Sequence, residues 1–332
     1  MSIARNGATV PLEHDVIPDF ALVRYRSGAE EEARPGVLSA GTVHPLDLAA
    51  LGLRSFNDVF ARWAEVEEQV RSTGSDGVPL GDVVLAAPVE PRQLLQTGAN
   101  YRTHVIDLEV GHRSPDDPRT VEEAREQVAR MMDERAAHGE PYFFIGLPQT
   151  VVGDDVDTVL PGYSDRVDWE LELAVIIGEP AFRVPRADAL RHVWGYTVAN
   201  DLTVRDLVFR RDMPAIGTDW FRGKNAPGFT PTGPFAVPAG AAPSPDAFEL
   251  RLDVNGTVMQ DASSSDLLFD LPALLSAASQ IVPLLPGDLL LTGSPAGNGQ
   301  ARGIFLKPGD ELAGSITGLG TQRLRCVAEE GR

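Results

Sequence analysis

One segment constrains this chain more than any other. Val167-Asp168-Trp169-Glu170-Leu171-Glu172-Leu173 runs directly into Ala174-Val175-Ile176-Ile177, and that apolar continuation fixes the segment as a strand. Alternate side chains of a strand share a face, so Asp168, Glu170 and Glu172 are expected to point one way and Trp169, Leu171 and Leu173 the other. Two carboxylates about 7 Å apart at an effective dielectric of about 20 repel by roughly 2 kcal/mol. A divalent cation turns that repulsion into attraction. All-carboxylate ligation suits a hard ion such as Mg²⁺, Mn²⁺ or Ca²⁺ rather than zinc. The competing reading is an amphipathic strand whose acidic face is solvated.

The surroundings of this strand set the fold class. From Pro141 onward the pattern is mainly short strands with Gly and Pro punctuation: YFFIGL, DTVLP, WELELAVIIG, VWGYTVAN, GPFAVP, FELRLDVNGTVMQ and DLLLTG. Helices are expected over Asp270 to Val282 and from near Asp201. Strands dominate without alternating regularly with helices, which disfavours a doubly wound sheet and favours a strand-rich α+β fold. Residues 1–88 read as a small leading α/β unit, with strand character at 20–25 and 36–43 and helical character over Pro45 to Leu53 and Phe56 to Val70. Residues 89–332 read as the main unit. Within it, residues 112–140 form a polar insertion and a candidate lid. Thr120 and Glu123 make a T-x-x-E capping box, Val121, Ala124, Val128 and Met131 follow at helical spacing, and Gly139 is the stop.

Composition narrows the function. Lys plus Arg is 29 against 48 for Asp plus Glu, a net charge of −19, which argues against nucleic acid or an anionic membrane as the main partner. Leu267 to Leu291, the most apolar stretch, is broken by Asp270, three prolines and Asp288 and does not span a membrane. The first twenty residues contain no apolar core of a secretory signal, so a cytoplasmic location is expected. One cysteine, Cys326, excludes an internal disulfide framework and any cysteine-based metal cluster. The glycines before Lys224 have the wrong spacing for a phosphate loop, and Ser294 sits one place early for a nucleophile elbow.

Three further groups of residues carry chemistry. Asn200-Asp201 ends the apolar strand VWGYTVAN, where Asp is either a metal ligand or the cap of a following helix. His104 and Asp107 lie three apart in NYRTHVID, so on a helix they are neighbours, and a carboxylate beside an imidazole builds a general base. Lys224 is one of only two lysines among the 29 basic residues, and a compact ammonium differs from a guanidinium in a tight site.

Taken in order, these elements resemble the fumarylacetoacetate hydrolase family over about residues 90–327. LQTGANYRTHVIDL looks like its N-Y-x-x-H segment, VDWELELAVIIG its D-x-E-x-E-L strand, and GYTVANDLTVRDL its N-D-x-[ST]-x-R-D element. TPTGPFAV, VNGTVMQ and PGDLLLTGSPAGNG look like its remaining signatures. The resemblance implies a mixed β-roll with a small N-terminal domain, usually a homodimer, using Mg²⁺ or Mn²⁺. By motif position, Glu170, Glu172 and Asp201 would be the metal ligands. His104 with Asp107 would activate water, Lys224 would face the reacting oxygen, and Tyr101, Arg205 and Ser294 would contact substrate. The chain departs from the family pattern at four places. Asp107 stands for a Glu, with Glu109 as a substitute partner. Val208 stands for a Gln, Gly146 for a Lys, and Ser294 for a Thr.

The activity implied is hydrolysis of a carbon–carbon bond in an acylpyruvate-like or other β-diketo acid, through a metal-held enolate and a His-activated water. Decarboxylation or tautomerisation of a 2-oxo diacid on the same site needs no water-activating dyad and is the alternative. A non-catalytic metal-binding relic is the reading from a different class.

Overall fold

The computed structural model describes residues 16–28, 32–74, 76–111, 113–114, 116–153 and 156–330. The expectation about the first residues therefore lies, up to residue 15, outside the described residues.

Strand Leu171–Ile177 is the spine of a six-stranded mixed sheet in the order Val237–Pro238, Val193–Asn200, Leu171–Ile177, Leu289–Leu291, Leu94–Gly98, Tyr142–Gly146. Every residue of the spine is buried, so both faces of this sheet are covered. Leu171, Leu173, Val175 and Ile177 face the larger core, which they share with Trp169, Tyr101, Phe229 and Phe248. Ala174 and Ile176 face a second core containing Leu22, Val37, Phe56, Phe60 and Trp194. That second core joins the sheet to the leading residues. A five-stranded antiparallel sheet is built from residues 20–86, and Phe60 and Trp63 meet Trp194 edge-on at 4.8 and 5.3 Å between ring centroids. On the other side, Thr257–Ser263, Glu249–Val254, Glu311–Ile316, Gly320–Ala328 and Thr158–Leu160 form a third sheet. The strand-rich α+β class stands, with a small N-terminal sheet.

Several local expectations are revised. Pro45 to Leu53 forms turns rather than a helix, and Phe56 to Val70 is two helices, Asn57–Ala61 and Trp63–Arg71. The helix expected over Asp270 to Val282 spans Leu271–Ile281, with the Asp270 carboxylate accepting from the Ala273 N–H at 2.9 Å. Only a single turn, Arg205–Val208, follows Asp201, and Asp201 does not cap it.

Residues 99–141 leave the sheet after Leu94–Gly98 and return as its antiparallel neighbour Tyr142–Gly146, with Gly98 opposite Tyr142. The excursion holds helices Arg102–Gly111 and Val121–His138. Thr120 and Glu123 form the capping box, and Gly139 is the C-cap. The apolar face is corrected by one position. Ala124, Val128 and Met132 are buried, whereas Val121 and Met131 are 54% and 51% exposed. This helix is docked: Arg102 pairs with Asp133 at 2.8 Å, Arg125 with Asp107 at 2.7 Å, and Arg135 donates to the Ala99 carbonyl at 2.9 Å. Among the described residues no helix is long and apolar enough to cross a membrane.

Gly195 shows how closely the edge strand Val237–Pro238 approaches the spine's neighbour. A Cβ there would lie 2.0 Å from the Val237 carbonyl oxygen. Gly195→Ala should force this pairing apart and cost about 1–3 kcal/mol, the usual scale of overpacking. Chemical denaturation measures it, and an unchanged midpoint would mean that the edge strand moves away freely.

Candidate metal centre

Ladder pairing stops for two residues at the acidic end of the spine. Val167–Asp168 pairs with Thr203–Val204, whereas Leu171–Ile177 pairs with Val193–Asn200 and Leu289–Leu291. Trp169 and Glu170 lie in the gap. There the Asn200 side-chain oxygen accepts from the Glu170 N–H at 2.9 Å, and the Glu170 carbonyl accepts from the Asp201 N–H at 2.8 Å. Beside the break, Asp168 spends its oxygens on the protein itself. Asp168 accepts from the N–H groups of Trp169, Gly299 and Gln300 at 2.9, 2.7 and 3.1 Å, and from Arg205 Nε at 2.7 Å.

Glu170, Glu172 and Asp201 do converge. One carboxylate oxygen of each lies within 4.8 Å of the others. A solvated acidic face is excluded, because Glu172 and Asp201 are each 1% exposed. Lys224 sits against two of the three. Its ammonium donates to Glu170 Oε2 at 2.6 Å, Asp201 Oδ2 at 2.5 Å and the Asp201 carbonyl at 3.1 Å. Three hydrogens meet three acceptors. Arg205 binds Glu170 Oε1 at 2.6 Å while holding Asp168, so one guanidinium bridges two carboxylates. The Gly293 N–H donates to Glu172 at 2.7 Å, and Gly293 itself adopts φ +96°, in the left-handed region that favours glycine.

The charges do not cancel evenly. Burial alone would raise Glu170, but Arg205 and Lys224 outweigh it and hold its carboxyl at about 2. Asp201 is pushed up by burial, with Lys224 offsetting part of the effect, and rests at about 6. Glu172 lies well above the usual carboxylate range, raised by burial and then by the charges of Asp201 and Glu170. Lys224 stays protonated, since Asp201 and Glu170 outweigh the burial that would lower it. A buried carboxylate cluster with excess negative charge fits a hard divalent cation. Two orphaned acceptors add to the fit. Gln96 donates to Asp201 and Asn298 donates to Glu170 at 3.0 Å, while the side-chain oxygens of both amides are buried without a partner.

The remaining residues anticipated for the site are placed as follows. His104 is half-buried on helix Arg102–Gly111. Burial lowers its pKa, Glu170 opposes the shift, and Arg205 adds to it, so the imidazole is neutral near pH 7 and within electrostatic reach of the cluster. Asp107 does not pair with it. The Asp107 carboxylate is bound to Arg125 of the docked helix, and Glu109 is exposed. Tyr101 is fully buried in the larger core, and its hydroxyl, raised above its ordinary pKa first by burial, lies within electrostatic reach of Glu172. The Ser294 hydroxyl accepts from Gln260 at 2.9 Å and from Asn298, the amide that also binds Glu170, at 3.4 Å, and donates to the Pro295 carbonyl at 3.3 Å.

Four residues of the site were not anticipated: Gln96, Asn298, Phe144 and Trp220. Gln96 pairs in register with Phe144, so both share the cluster's side of the sheet. Phe144 and Trp220 stack at 4.6 Å and 15°, with Lys224 Nζ 5.6 and 5.9 Å from the two ring centroids. The doubled aromatics of YFFIG and the Trp four residues before Lys224 were the available signals.

Residues 93–327 match the family model described as fumarylacetoacetate (FAA) hydrolase C-terminal. A curated relative, the mitochondrial oxaloacetate tautomerase FAHD2B of Homo sapiens, is 34% identical over 246 residues, covering 73% of this chain and 69% of the relative. The 2,4-didehydro-3-deoxy-L-rhamnonate hydrolase of a Sphingomonas species is 30% identical over 309 residues, covering 90% and 93%. Among solved structures, a Sphingobium maleylpyruvate hydrolase in complex with manganese(II) and pyruvate aligns with a TM-score of 0.71 at 25% identity, covering 93% of this chain and 100% of that one.

The uneven charges separate two substitutions. Glu172→Gln should abolish Mn²⁺ binding yet leave the metal-free fold as stable as the parent or more so. Its ordinary value is 4.5, and the folded value is higher, so ionising it in the fold costs stability increasingly as pH rises above 4.5. Glu170→Gln should also abolish Mn²⁺ binding but destabilise by about 3–5 kcal/mol near neutral pH, because it leaves Arg205 and Lys224 buried and short of a partner. Isothermal titration with Mn²⁺ and urea denaturation of metal-free protein give both readings. Equal destabilisation by the two would contradict the assigned charge distribution.

Proposed function

Because the chain belongs to the fumarylacetoacetate hydrolase family, we propose that it is a divalent-metal-dependent enzyme that hydrolyses a carbon–carbon bond in an acylpyruvate-like or other β-diketo acid. The observation that carries this reading is the buried cluster of Glu170, Glu172 and Asp201 with Lys224 seated against it. These carboxylates would hold Mg²⁺ or Mn²⁺, which when bound supplies Lewis acidity and a fixed seat for the oxygens of a 2-oxo acid. The manganese(II) and pyruvate in the Sphingobium maleylpyruvate hydrolase support this choice of metal and substrate class.

His104 carries the proton chemistry. Its neutral imidazole takes a proton from the water that attacks the distal carbonyl, and its burial keeps it in the basic form. Lys224 turns an N–H towards the developing oxyanion once Glu170 or Asp201 releases its contact with the ammonium. The carbon–carbon bond then breaks towards the 2-oxo acid, whose carbanion takes up the proton held by His104. The products are a carboxylic acid and a 2-oxo acid such as pyruvate. The reading includes a cytoplasmic homodimer, with residues 1–88 as a supporting domain and 89–332 as the catalytic one.

One observation favours the second reading, tautomerisation or decarboxylation of a 2-oxo diacid. Asp107 is held by Arg125, so His104 lacks a carboxylate to orient it for water activation. An imidazole alone suffices to move a proton at the carbon beside a ketone, and the human relative is named an oxaloacetate tautomerase.

Release of a carboxylic acid from acylpyruvates by the parent decides between them, and His104→Ala tests the water-activating role. Under hydrolysis it should lower kcat on the best acylpyruvate by at least about 10²-fold at saturating Mn²⁺, with Mn²⁺ affinity unchanged. The acidic limb of the parent profile should fall below pH 6.5, since a lowered imidazole pKa keeps the base free at lower pH. Near-normal acylpyruvate cleavage by His104→Ala would overturn the water-activating role.

A further inference from the structure

We infer that the end of the substrate remote from the reacting carbonyl is an uncharged, flat group, received by Phe144 and Trp220. This rests on the 2-oxo acid reading and names the substrate class within it. Tyr142, Phe144 and Gly146 alternate along the edge strand and so share one face, the face on which Phe144 stands opposite Gln96. None of the three carries charge. Gly146 cannot be replaced by anything that reaches into the site, because a Cβ there would lie 2.6 Å from both Gln96 Oε1 and Leu94 Cδ2.

The rings are held in place. Trp220 Nε1 donates to the Tyr142 hydroxyl at 2.7 Å, and the indole lies 15° from parallel to Phe144. Both rings are half-buried, so each keeps an open side. Lys224 Nζ, 2.6 Å from Glu170, is only 5.6 Å from the Phe144 centroid, so a substrate seated at the carboxylates extends along the rings.

A second carboxylate would find the cluster's cations already engaged, the one hydrogen that Lys224 can free being turned to the oxyanion. The three hydrogens of Lys224 go to Glu170 and Asp201, and Arg205 is divided between Asp168 and Glu170. Arg222, on the same short helix as Trp220, is exposed and is the nearest competing explanation for any preference.

The test uses the full chain loaded with Mn²⁺ and two probes, benzoylpyruvate, with an uncharged aryl end, and fumarylpyruvate, with a carboxylate end. Dissociation constants from calorimetry and kcat/KM are compared for the parent, Trp220→Ala, Trp220→Phe and Arg222→Gln, with thermal melts confirming that each is folded. The parent should bind benzoylpyruvate more tightly. Trp220→Ala should lose about tenfold on benzoylpyruvate, the scale of one aromatic contact, and little on fumarylpyruvate. Trp220→Phe should restore most of the loss, and Arg222→Gln should change neither. Tighter binding of fumarylpyruvate, or a preference that follows Arg222 instead of Trp220, would overturn the inference. If the Trp220-dependent preference appears in binding while neither probe is cleaved, the aromatic subsite stands and carbon–carbon hydrolysis falls. If neither probe binds, both fall.

Discussion

Negative charge buried at the end of strand Leu171–Ile177 is the constraint on which the rest of the structure depends. Three carboxylates in a low-dielectric interior repel strongly, and the chain answers with two cations placed unequally. Arg205 and Lys224 both serve Glu170, Lys224 also serves Asp201, and Glu172 receives a backbone N–H. The lysine at 224 in an arginine-rich chain follows from this geometry. An ammonium can direct three hydrogens at Glu170, the Asp201 carboxylate and the Asp201 carbonyl from a single point, whereas a planar guanidinium spreads its donors across a fork.

Holding such a cluster requires a rigid frame, and the central sheet supplies it from both sides. The spine's two faces feed separate cores, one shared with the third sheet and one sealed by the leading residues through Phe60, Trp63 and Trp194. The leading sheet thus packs further along the same face of the strand that carries Glu172, although it contributes no residue to the cluster. Around the carboxylates, Asn200, Gln96 and Asn298 are buried amides, and each gives the acidic end of the spine a fixed hydrogen bond.

What the sequence revealed, and what it did not, divides by distance along the chain. Glu170 and Glu172 were legible because strand alternation places them together, and Lys224 because its chemistry was rare in this background. The partners of Asp168 were not legible, because the Gly299 and Gln300 N–H groups and Arg205 come from distant parts of the chain. Asp107 was misread because helical spacing says only which residues are near, and a stronger partner, Arg125, arrives from another helix. The meeting of Gln96 with Phe144 was not legible because it depends on the register of Leu94–Gly98 with Tyr142–Gly146, whose strands lie on either side of the helical excursion. Tyr101 belongs to a recognisable motif, yet no local pattern shows that a tyrosine at the start of a helix is packed in the core.

The excursion of residues 99–141 has a further consequence. Its two ends are stitched together where Gly98 faces Tyr142, so the sheet closes at that point whatever lies between them. Closing a longer or shorter loop at such a point costs little. The carboxylates belong to the sheet, while the imidazole of His104 rides on the excursion. The acidic cluster and the proposed base are therefore held by separate parts of the chain. Redrawing the helices would move the proposed base while leaving the acidic anchor in place. One scaffold is in this way open to both bond-breaking and proton-shuffling descendants.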